Sequence, residues 1–195
     1  YQVNQFVDLG GGRTSIRITN AAKVITQGIE AEFNLQATDN FSLQGSAGYL
    51  DATFDSFPGG GTAGGDVSGN QLPGASKWSA SLGGLYTRDL PSLGATFLTR
   101  LDMTYKDGFY TTVDNQKTTT LPSTQVVPYG YIDSVTLLNG RVGLQSDNGR
   151  YEVYLWGRNL TDEDYLIDDF RDFLGTIVNH PNIGRTYGAE LVVNF

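Results

Sequence analysis

Long segments in which apolar and polar residues alternate constrain this chain more than any other feature. In "KVITQGIEAEFNLQA" (23–37), Ile25, Ile29 and Phe33 fall on one set of alternating positions, and polar residues such as Glu30 and Glu32 fall on the other. A period of two places these sets on opposite faces of a β-strand. Several such segments exceed 13 residues, whereas strands of globular proteins typically have about 5–6 residues.

The alternation predicts an all-β chain of about eight antiparallel, up-and-down strands. Their expected bounds are 1–8, 23–37, 41–54, 77–90, 94–107, 130–146, 150–160 and 184–195. The connections 37–40, 90–94 and 146–150 contain the Asp, Asn, Gly and Pro residues of tight turns. The connections 9–22, 57–76, 108–129 and 162–183 are long and are predicted as loops. Tight turns at one end and long loops at the other are typical of an outer-membrane barrel.

Composition narrows the possible function classes. The net charge of −8 argues against a nucleic-acid-binding surface, and the absence of cysteine excludes disulfides and thiolate metal sites. No segment approaches the roughly 18 consecutive apolar residues of a membrane helix. The mean hydropathy of −0.25 is that of a soluble protein, but barrel strands average to such values because half of each strand faces a polar lumen.

Aromatic residues lie toward the ends of the predicted strands, on their apolar faces. They are Phe41, Tyr49, Trp78, Tyr86, Tyr105, Tyr131, Tyr151, Tyr187 and Phe195. This placement predicts two aromatic girdles at membrane interfaces. Lipid-facing positions are then Ile29, Phe33, Leu43, Leu82, Leu101, Val153 and Leu191, and lumen-facing positions are Glu30, Glu32, Ser79, Arg100 and Glu152. A soluble β-sandwich binding module is an alternative, because alternation alone also fits that fold.

Three stretches resemble the TonB-dependent outer-membrane receptors. "NAAKVITQGIEAEFNLQATDNFSLQGSAGYLDATF" (20–54) resembles the C-terminal half of their barrel, and "YEVYLWGRNLTDEDY" (151–165) resembles its penultimate strand. "GRTYGAELVVNF" (184–195) resembles the final strand, including the signal that the barrel-assembly machinery recognises. The positions that match this signal are Gly188, Leu191, Val193 and Phe195.

This resemblance implies that residues 1–195 are the C-terminal portion of a larger barrel, of 22 strands in the family. The plug domain and the TonB box of such receptors have no counterpart in the sequence, so contact with the TonB complex is expected through an absent N-terminal part. Implied partners are outer-membrane lipid and a scarce, bulky nutrient: a ferric siderophore, cobalamin or an oligosaccharide. The alternative is a self-contained eight-stranded barrel with a structural or small-pore role, since eight strands can close.

The loop 162–183 is the predicted ligand-binding region. It combines carboxylates with aromatic and basic residues, and loops on rigid scaffolds commonly carry binding groups. The candidate ligand-binding residues are Tyr165, Asp168, Asp169, Phe170, Arg171, Phe173 and His180, with Arg158 at the base of the loop. A calcium site among the carboxylates is a weaker interpretation, because their spacing does not follow an EF-hand. No metal or cofactor is therefore predicted.

No motif points to catalysis. The Gly-rich segment "PGGGTAGGDVSGN" (58–70) lacks the Lys-Ser/Thr ending of a phosphate-binding loop and is predicted as a mobile surface loop. Charged residues on the polar faces have no nucleophile motif beside them, and they are expected to pair across strands in a polar lumen. The single histidine, His180, has no partners for a zinc site or a catalytic triad.

Overall fold

The computed structural model describes residues 2–10, 13–20, 23–121, 123–172 and 176–195. Within these ranges the chain is dominated by antiparallel β-strands, with one 3-10 turn at Pro91–Leu93. No helix in the described ranges is long and apolar enough to cross a membrane. The predicted all-β, antiparallel class is confirmed.

The chain begins with a hairpin where the sequence predicted one strand and a long loop. Strand β1 (Gln2–Gly10) pairs with β2 (Arg13–Asn20). The prediction of a loop at 9–22 is therefore wrong. The short alternation of Ile16 and Ile18 with Ser15, Arg17 and Thr19 was a strand signal, and the glycine run at 10–12 concealed it.

Seven of the later strands form one antiparallel sheet, in the order β15-β12-β11-β6-β5-β4-β3. The strands after β2 are β3 (Lys23–Thr38), β4 (Phe41–Ser56), β5 (Trp78–Leu90), β6 (Ala95–Lys106), β7 (Phe109–Tyr110), β8 (Thr118–Thr120), β9 (Val126–Pro128), β10 (Tyr131–Ile132), β11 (Val135–Ser146), β12 (Tyr151–Arg158), β13 (Leu166–Arg171), β14 (Ile177–Pro181) and β15 (Thr186–Val193). Short turns join neighbours at one end of the sheet, and three long loops join them at the other.

The sixth predicted strand begins later than expected. Its sheet segment β11 starts at Val135, whereas Tyr131 belongs to the separate two-stranded pair of β10 with β7. The Tyr131 ring packs edge-on against Tyr110 with ring centroids 4.9 Å apart. Tyr131 is therefore part of the loop region, and its expected place in an aromatic girdle is wrong.

A register that is continuous apart from two irregularities near the ends of the β3–β4 pair defines the two faces of the sheet. One row of directly opposed residues crosses all seven strands as Leu35, Leu43, Gly84, Leu101, Gly140, Gly157 and Tyr187. A second row, on the other face, runs through Gln36, Ser42, Leu85, Arg100, Arg141, Trp156 and Gly188. Residues predicted to face lipid lie on the face of the first row, and those predicted to face the lumen lie on the face of the second.

The apolar face of the sheet is not packed against protein. Ile29 is 75% exposed, Leu191 is 66% exposed and Tyr187 is 80% exposed. An exposed apolar surface of this extent is unusual for a soluble monomer. The largest cluster of buried residues lies instead where the sheet meets the long loops, and consists of Ala52, Phe54, Phe57, Val67, Leu72 and Val113.

The two faces of β4 exchange character after Tyr49. From Phe41 to Tyr49 the odd-numbered residues are aromatic, aliphatic or glycine and lie on the apolar face of the sheet. Beyond Tyr49 the apolar residues Ala52 and Phe54 are at even positions and are buried against the loops. The odd position above, Asp55, forms an ion pair with Lys23 at 2.7 Å. The exposed apolar face therefore ends near Tyr49, and the sheet continues beyond it as an ordinary water-facing structure.

Three aromatic side chains lie across glycines on the neighbouring strand. Phe33 is opposite Gly45, Tyr154 is opposite Gly143, and Trp156 is opposite Gly188. A Cβ atom added at any of these glycines would overlap the facing ring. Each glycine thus provides the space in which a large ring can lie flat on the sheet.

Gly143→Ala should destabilise the sheet by about 1–3 kcal/mol, the usual cost of overpacking. The new methyl group would meet the Tyr154 ring and also the Val153 carbonyl oxygen, which belongs to the backbone and moves only with the strand. Gly48→Ala is the matched control on the same face, because its nearest neighbour is the Ser79 hydroxyl at 3.2 Å. Urea unfolding of the refolded protein measures both, and equal losses would contradict the packing described for Gly143.

Candidate functional site

Three long loops leave the same end of the seven-stranded sheet. We name them loop A (57–77, between β4 and β5), loop B (107–134, between β6 and β11) and loop C (159–185, between β12 and β15). They share one end because consecutive strands of the sheet are antiparallel and the short turns occupy the other end. The predicted loops 57–76, 108–129 and 162–183 correspond to them.

Loops A and B are joined by consecutive residues of loop B. The Asn115 side chain accepts a hydrogen bond from the Gln71 amide at 2.7 Å and donates one to the Gln71 carbonyl at 2.9 Å. Asp114 accepts a hydrogen bond from the Thr62 amide at 3.0 Å. Asn115 has a φ of 51°, a left-handed conformation that asparagine tolerates better than most residues. Its side chain therefore substitutes for a strand partner and holds the two loops together.

Loop C consists of a hairpin on a rigid base. The hairpin pairs β13 with β14, and the base is closed by Asn159, which is buried and exchanges two hydrogen bonds with the Glu163 backbone at 2.9 Å each. Asp162 accepts a hydrogen bond from the Arg185 amide at 3.0 Å and pairs with its guanidinium at 3.5 Å. The entry and exit of loop C are thus tied to each other, which fixes the direction in which the hairpin projects.

One carboxylate connects loop C to loop B. Asp169 is 5% exposed, accepts a hydrogen bond from the Gly130 amide at 2.8 Å and accepts another from the Thr111 hydroxyl. Burial raises the pKa of the nearby Tyr129 hydroxyl, the Asp169 carboxylate raises it further, and Arg171 partly opposes this shift. Asp169 therefore acts as an internal link between loops, and it is not presented to an incoming ligand.

The other predicted ligand residues of loop C are distributed around the hairpin. Asp168 is exposed and is paired in register with His180, which is also exposed. The rings of Phe170 and His180 are 5.4 Å apart. Tyr165, Phe170 and Arg171 are partly buried. Phe173 lies outside the described residues.

The described residues contain no group of three or more acidic or histidine side chains arranged to hold a metal ion. The carboxylates of loop C instead form separate contacts. Asp162 and Asp169 bind backbone amides of the loops, and Asp172 accepts a hydrogen bond from the Thr176 amide at 2.8 Å. These contacts explain why a charge-rich segment forms an ordered hairpin.

The polar face directly below loop C carries a residue that the sequence analysis did not single out. Trp156 lies on this face next to the predicted residue Arg158, whose guanidinium is 5.5 Å from the Trp156 ring. The signal was present in "YEVYLWGR", where Tyr154 and Trp156 share their alternating positions with Glu152 and Arg158. Aromatic rings on a polar face are unusual enough to indicate a specific role.

Comparison with known protein families identifies the family of this chain. The family profile described as "TonB dependent receptor-like, beta-barrel" matches residues 1–160. The chain belongs to this family. Its members are transport receptors of the Gram-negative outer membrane, not enzymes. The resemblance found in the sequence is confirmed, and no curated protein matches the chain.

Solved receptors share the fold of this TonB-dependent receptor chain at low identity. The ferric yersiniabactin uptake receptor FyuA from Yersinia pestis superposes with a TM-score of 0.72 and 19% identity, over 92% of this chain and 25% of FyuA. The siderophore receptor PiuA from Acinetobacter baumannii superposes with a TM-score of 0.63 and 18% identity, over 97% of this chain and 24% of PiuA. The ferric preacinetobactin receptor BauA from Acinetobacter baumannii superposes with a TM-score of 0.61 and 17% identity, over 97% of this chain and 25% of BauA. The chain thus spans about a quarter of the length of these receptors.

Asp169→Ala should loosen loop C from loop B. The substitution leaves the Gly130 amide and the Thr111 hydroxyl without their acceptor, and an unsatisfied buried donor costs about 1–3 kcal/mol. We expect faster hydrogen exchange of the Gly130 amide and faster proteolysis of loop C. Asp168→Ala, one residue earlier and exposed, is the control and should leave both rates unchanged. Equal exchange rates in the two variants would show that Asp169 does not link the loops.

Proposed function

We propose that this chain forms the C-terminal wall and three outer loops of a TonB-dependent receptor that imports a scarce, bulky nutrient across the outer membrane. The observation that supports this most is a single sheet with one exposed apolar face, one polar charged face and all of its long loops at one end. Lipid would cover the apolar face, and the polar face would line the lumen. Energy would come from the TonB complex through parts of the receptor beyond this segment.

The spacing of aromatic residues supports the membrane placement. Four strands carry pairs eight residues apart: Phe41 with Tyr49, Trp78 with Tyr86, Phe97 with Tyr105, and Tyr187 with Phe195. Eight residues extend about 26 Å along a strand. At a strand tilt of about 40°, this length corresponds to a height of about 20 Å across the membrane, which is close to the roughly 25 Å height of the apolar band of such barrels. Tyr49 and Trp78 would then mark the outer interface, with their rings 4.8 Å apart.

Leu101→Arg tests the lipid-facing assignment. Leu101 is 54% exposed on the apolar face, and an arginine near the middle of the bilayer should cost about 2–4 kcal/mol. Thr104→Arg, on the opposite face of the same strand, should cost much less because the lumen is polar. The measurement is unfolding of the receptor refolded in lipid vesicles. Equal destabilisation by the two arginines would contradict the assignment.

The final strand supports assembly into the membrane as a full barrel. Leu191 lies on the apolar face of β15, the same alternation continues through Val193 to Phe195, and Gly188 lies on the opposite face beneath Trp156. We infer that these four positions form the signal for the barrel-assembly machinery. A self-contained eight-stranded barrel is less well supported, because the described strands of the main sheet number seven and form an open sheet.

We propose the ligand class from the solved receptors that share this fold, and the contact residues from the site. FyuA, PiuA and BauA are named as siderophore receptors, which favours a ferric siderophore over cobalamin or an oligosaccharide. We propose that ligand contacts of this segment come from the loop C hairpin, including the exposed Asp168 and the partly buried Phe170, and from Arg158 on the polar face. Asp169 is left out of this set because it is buried between the loops.

Uptake by the complete receptor tests this function. Deletion of the gene should abolish TonB-dependent uptake of the ferric siderophore that supports growth under iron limitation, and the intact gene should restore it. The variant Asp168→Ala with Phe170→Ala should reduce uptake at normal receptor abundance. Asp147→Ala, in a turn at the other end of the sheet, is the control and should transport normally. Wild-type uptake by the double variant would show that loop C is only a cover.

A further inference from the structure

Two arginines face each other directly on the polar side of the sheet. Arg100 on β6 is in register with Arg141 on β11, an arrangement that is unfavourable for like charges without compensation. Arg100 forms a two-pronged contact with Asp102, with N–O distances of 2.7 Å for both prongs. Arg141 reaches across to Glu190 at 3.2 Å, and its guanidinium lies 3.5 Å from the centre of the Tyr154 ring.

A cavity opens beside this pair. It has a volume of about 260 Å³ and is lined by Arg100, Arg141, Asn139, Trp156 and Arg158, together with the two carboxylates. Trp156 forms one wall, and it is held in place because its ring lies across Gly188, where a Cβ atom would be 2.7 Å away. Arg141 is held by its stack on Tyr154 and its ion pair with Glu190. Two of the side chains that line the cavity, Trp156 and Arg141, are thus fixed by their neighbours.

The cavity has more cationic than anionic groups. Three guanidinium groups line it, and two carboxylates, Asp102 and Glu190, offset only two of them. No carboxylate in the described part of the chain forms an ion pair with Arg158. The Nε atom of Arg141 is buried and has no acceptor among the described residues. One positive charge, that of Arg158, is therefore left for a further group.

The position of the cavity favours a ligand that enters past the loops. Arg158 is the last residue of β12, and loop C begins at the next residue, Asn159. The opposing strand β15 starts at Thr186, which is in register with Arg158. The cavity therefore lies directly beneath loop C, at the ends of β12 and β15, while β6 and β11 extend beyond it toward loop B.

We propose that this cavity binds an oxyanion group, a carboxylate or a phosphate, of the transported ligand. Arg158 supplies the uncompensated charge and its donors, and Arg141 lines the cavity beside it. Guanidinium groups match the geometry of both oxyanions. Trp156 limits the space beside the anion. This inference rests on the proposed transport function and narrows its ligand to one that carries a negatively charged oxygen group.

Titration calorimetry of the complete receptor in detergent tests the proposal, with citrate and inorganic phosphate as separate probes. If citrate binds more tightly than phosphate, the cavity is assigned to carboxylates. If phosphate binds more tightly, the cavity is assigned to phosphate groups. Arg158→Gln should weaken the tighter probe about tenfold or more, because a charge-assisted hydrogen bond is lost. Arg158→Lys should recover part of the affinity. Xylitol, a neutral polyol, should not bind.

Arg185→Gln is the matched control, since Arg185 lies at the base of loop C, pairs with Asp162 and does not line the cavity. Its affinity for the probe should equal that of the wild type. Unchanged affinity in Arg158→Gln overturns the proposal. So does a wild-type receptor that binds neither probe, which would mean that a carboxylate from another part of the receptor fills the cavity.

Uptake separates this inference from the proposed function. In one outcome, gene deletion abolishes siderophore uptake, but the Arg158→Gln receptor transports normally and binds both probes as the wild type does. That outcome supports the transport function and overturns the anion site. Where gene deletion leaves uptake intact, the transport function fails even if Arg158→Gln loses citrate or phosphate binding. Loss of uptake and of probe binding together in Arg158→Gln, with normal abundance, supports the site.

Discussion

The register shared by the strands of the seven-stranded sheet is the constraint on which the remaining structure depends. A slip of one residue in any strand would move its apolar side chains to the charged face and its charged side chains to the apolar one. The opposed pairs of a ring with a glycine, such as Tyr154 with Gly143, oppose such a slip because each ring has space only over its own partner. The packing of rings against glycines therefore favours the same register as the separation of apolar and charged side chains.

This register also explains why the buried core lies at one end. The apolar face has no protein to pack against in this segment, so burial occurs where loop A folds back over Ala52 and Phe54. The exchange of faces after Tyr49 makes this possible, since it directs the apolar positions of β4 toward the loops. The same strand thus directs apolar side chains to one face up to Tyr49 and to the opposite, buried face beyond it.

The loops achieve order through side chains that bind backbone groups. Asn115 and Asn159 each exchange two hydrogen bonds with a backbone segment, and Asp169 accepts from the Gly130 amide. These contacts satisfy polar groups that no regular strand partner reaches. Of the guanidinium groups that line the cavity beneath loop C, only that of Arg158 has no ion pair with a described carboxylate, since Arg100 pairs with Asp102 and Arg141 with Glu190.

The sequence by itself determined the all-β class, the family, the two faces of the long strands and the ends at which turns and loops lie, because a period of two is a local property. Only the tertiary structure decided the rest. It made 13–20 a strand, moved Tyr131 into the loop region and buried Asp169 against Gly130, which is 39 residues away in the chain. It also brought Trp156, Arg158 and Arg141 around one cavity. These features depend on which distant segments of the chain contact each other, and the local alternation of residues does not determine those contacts.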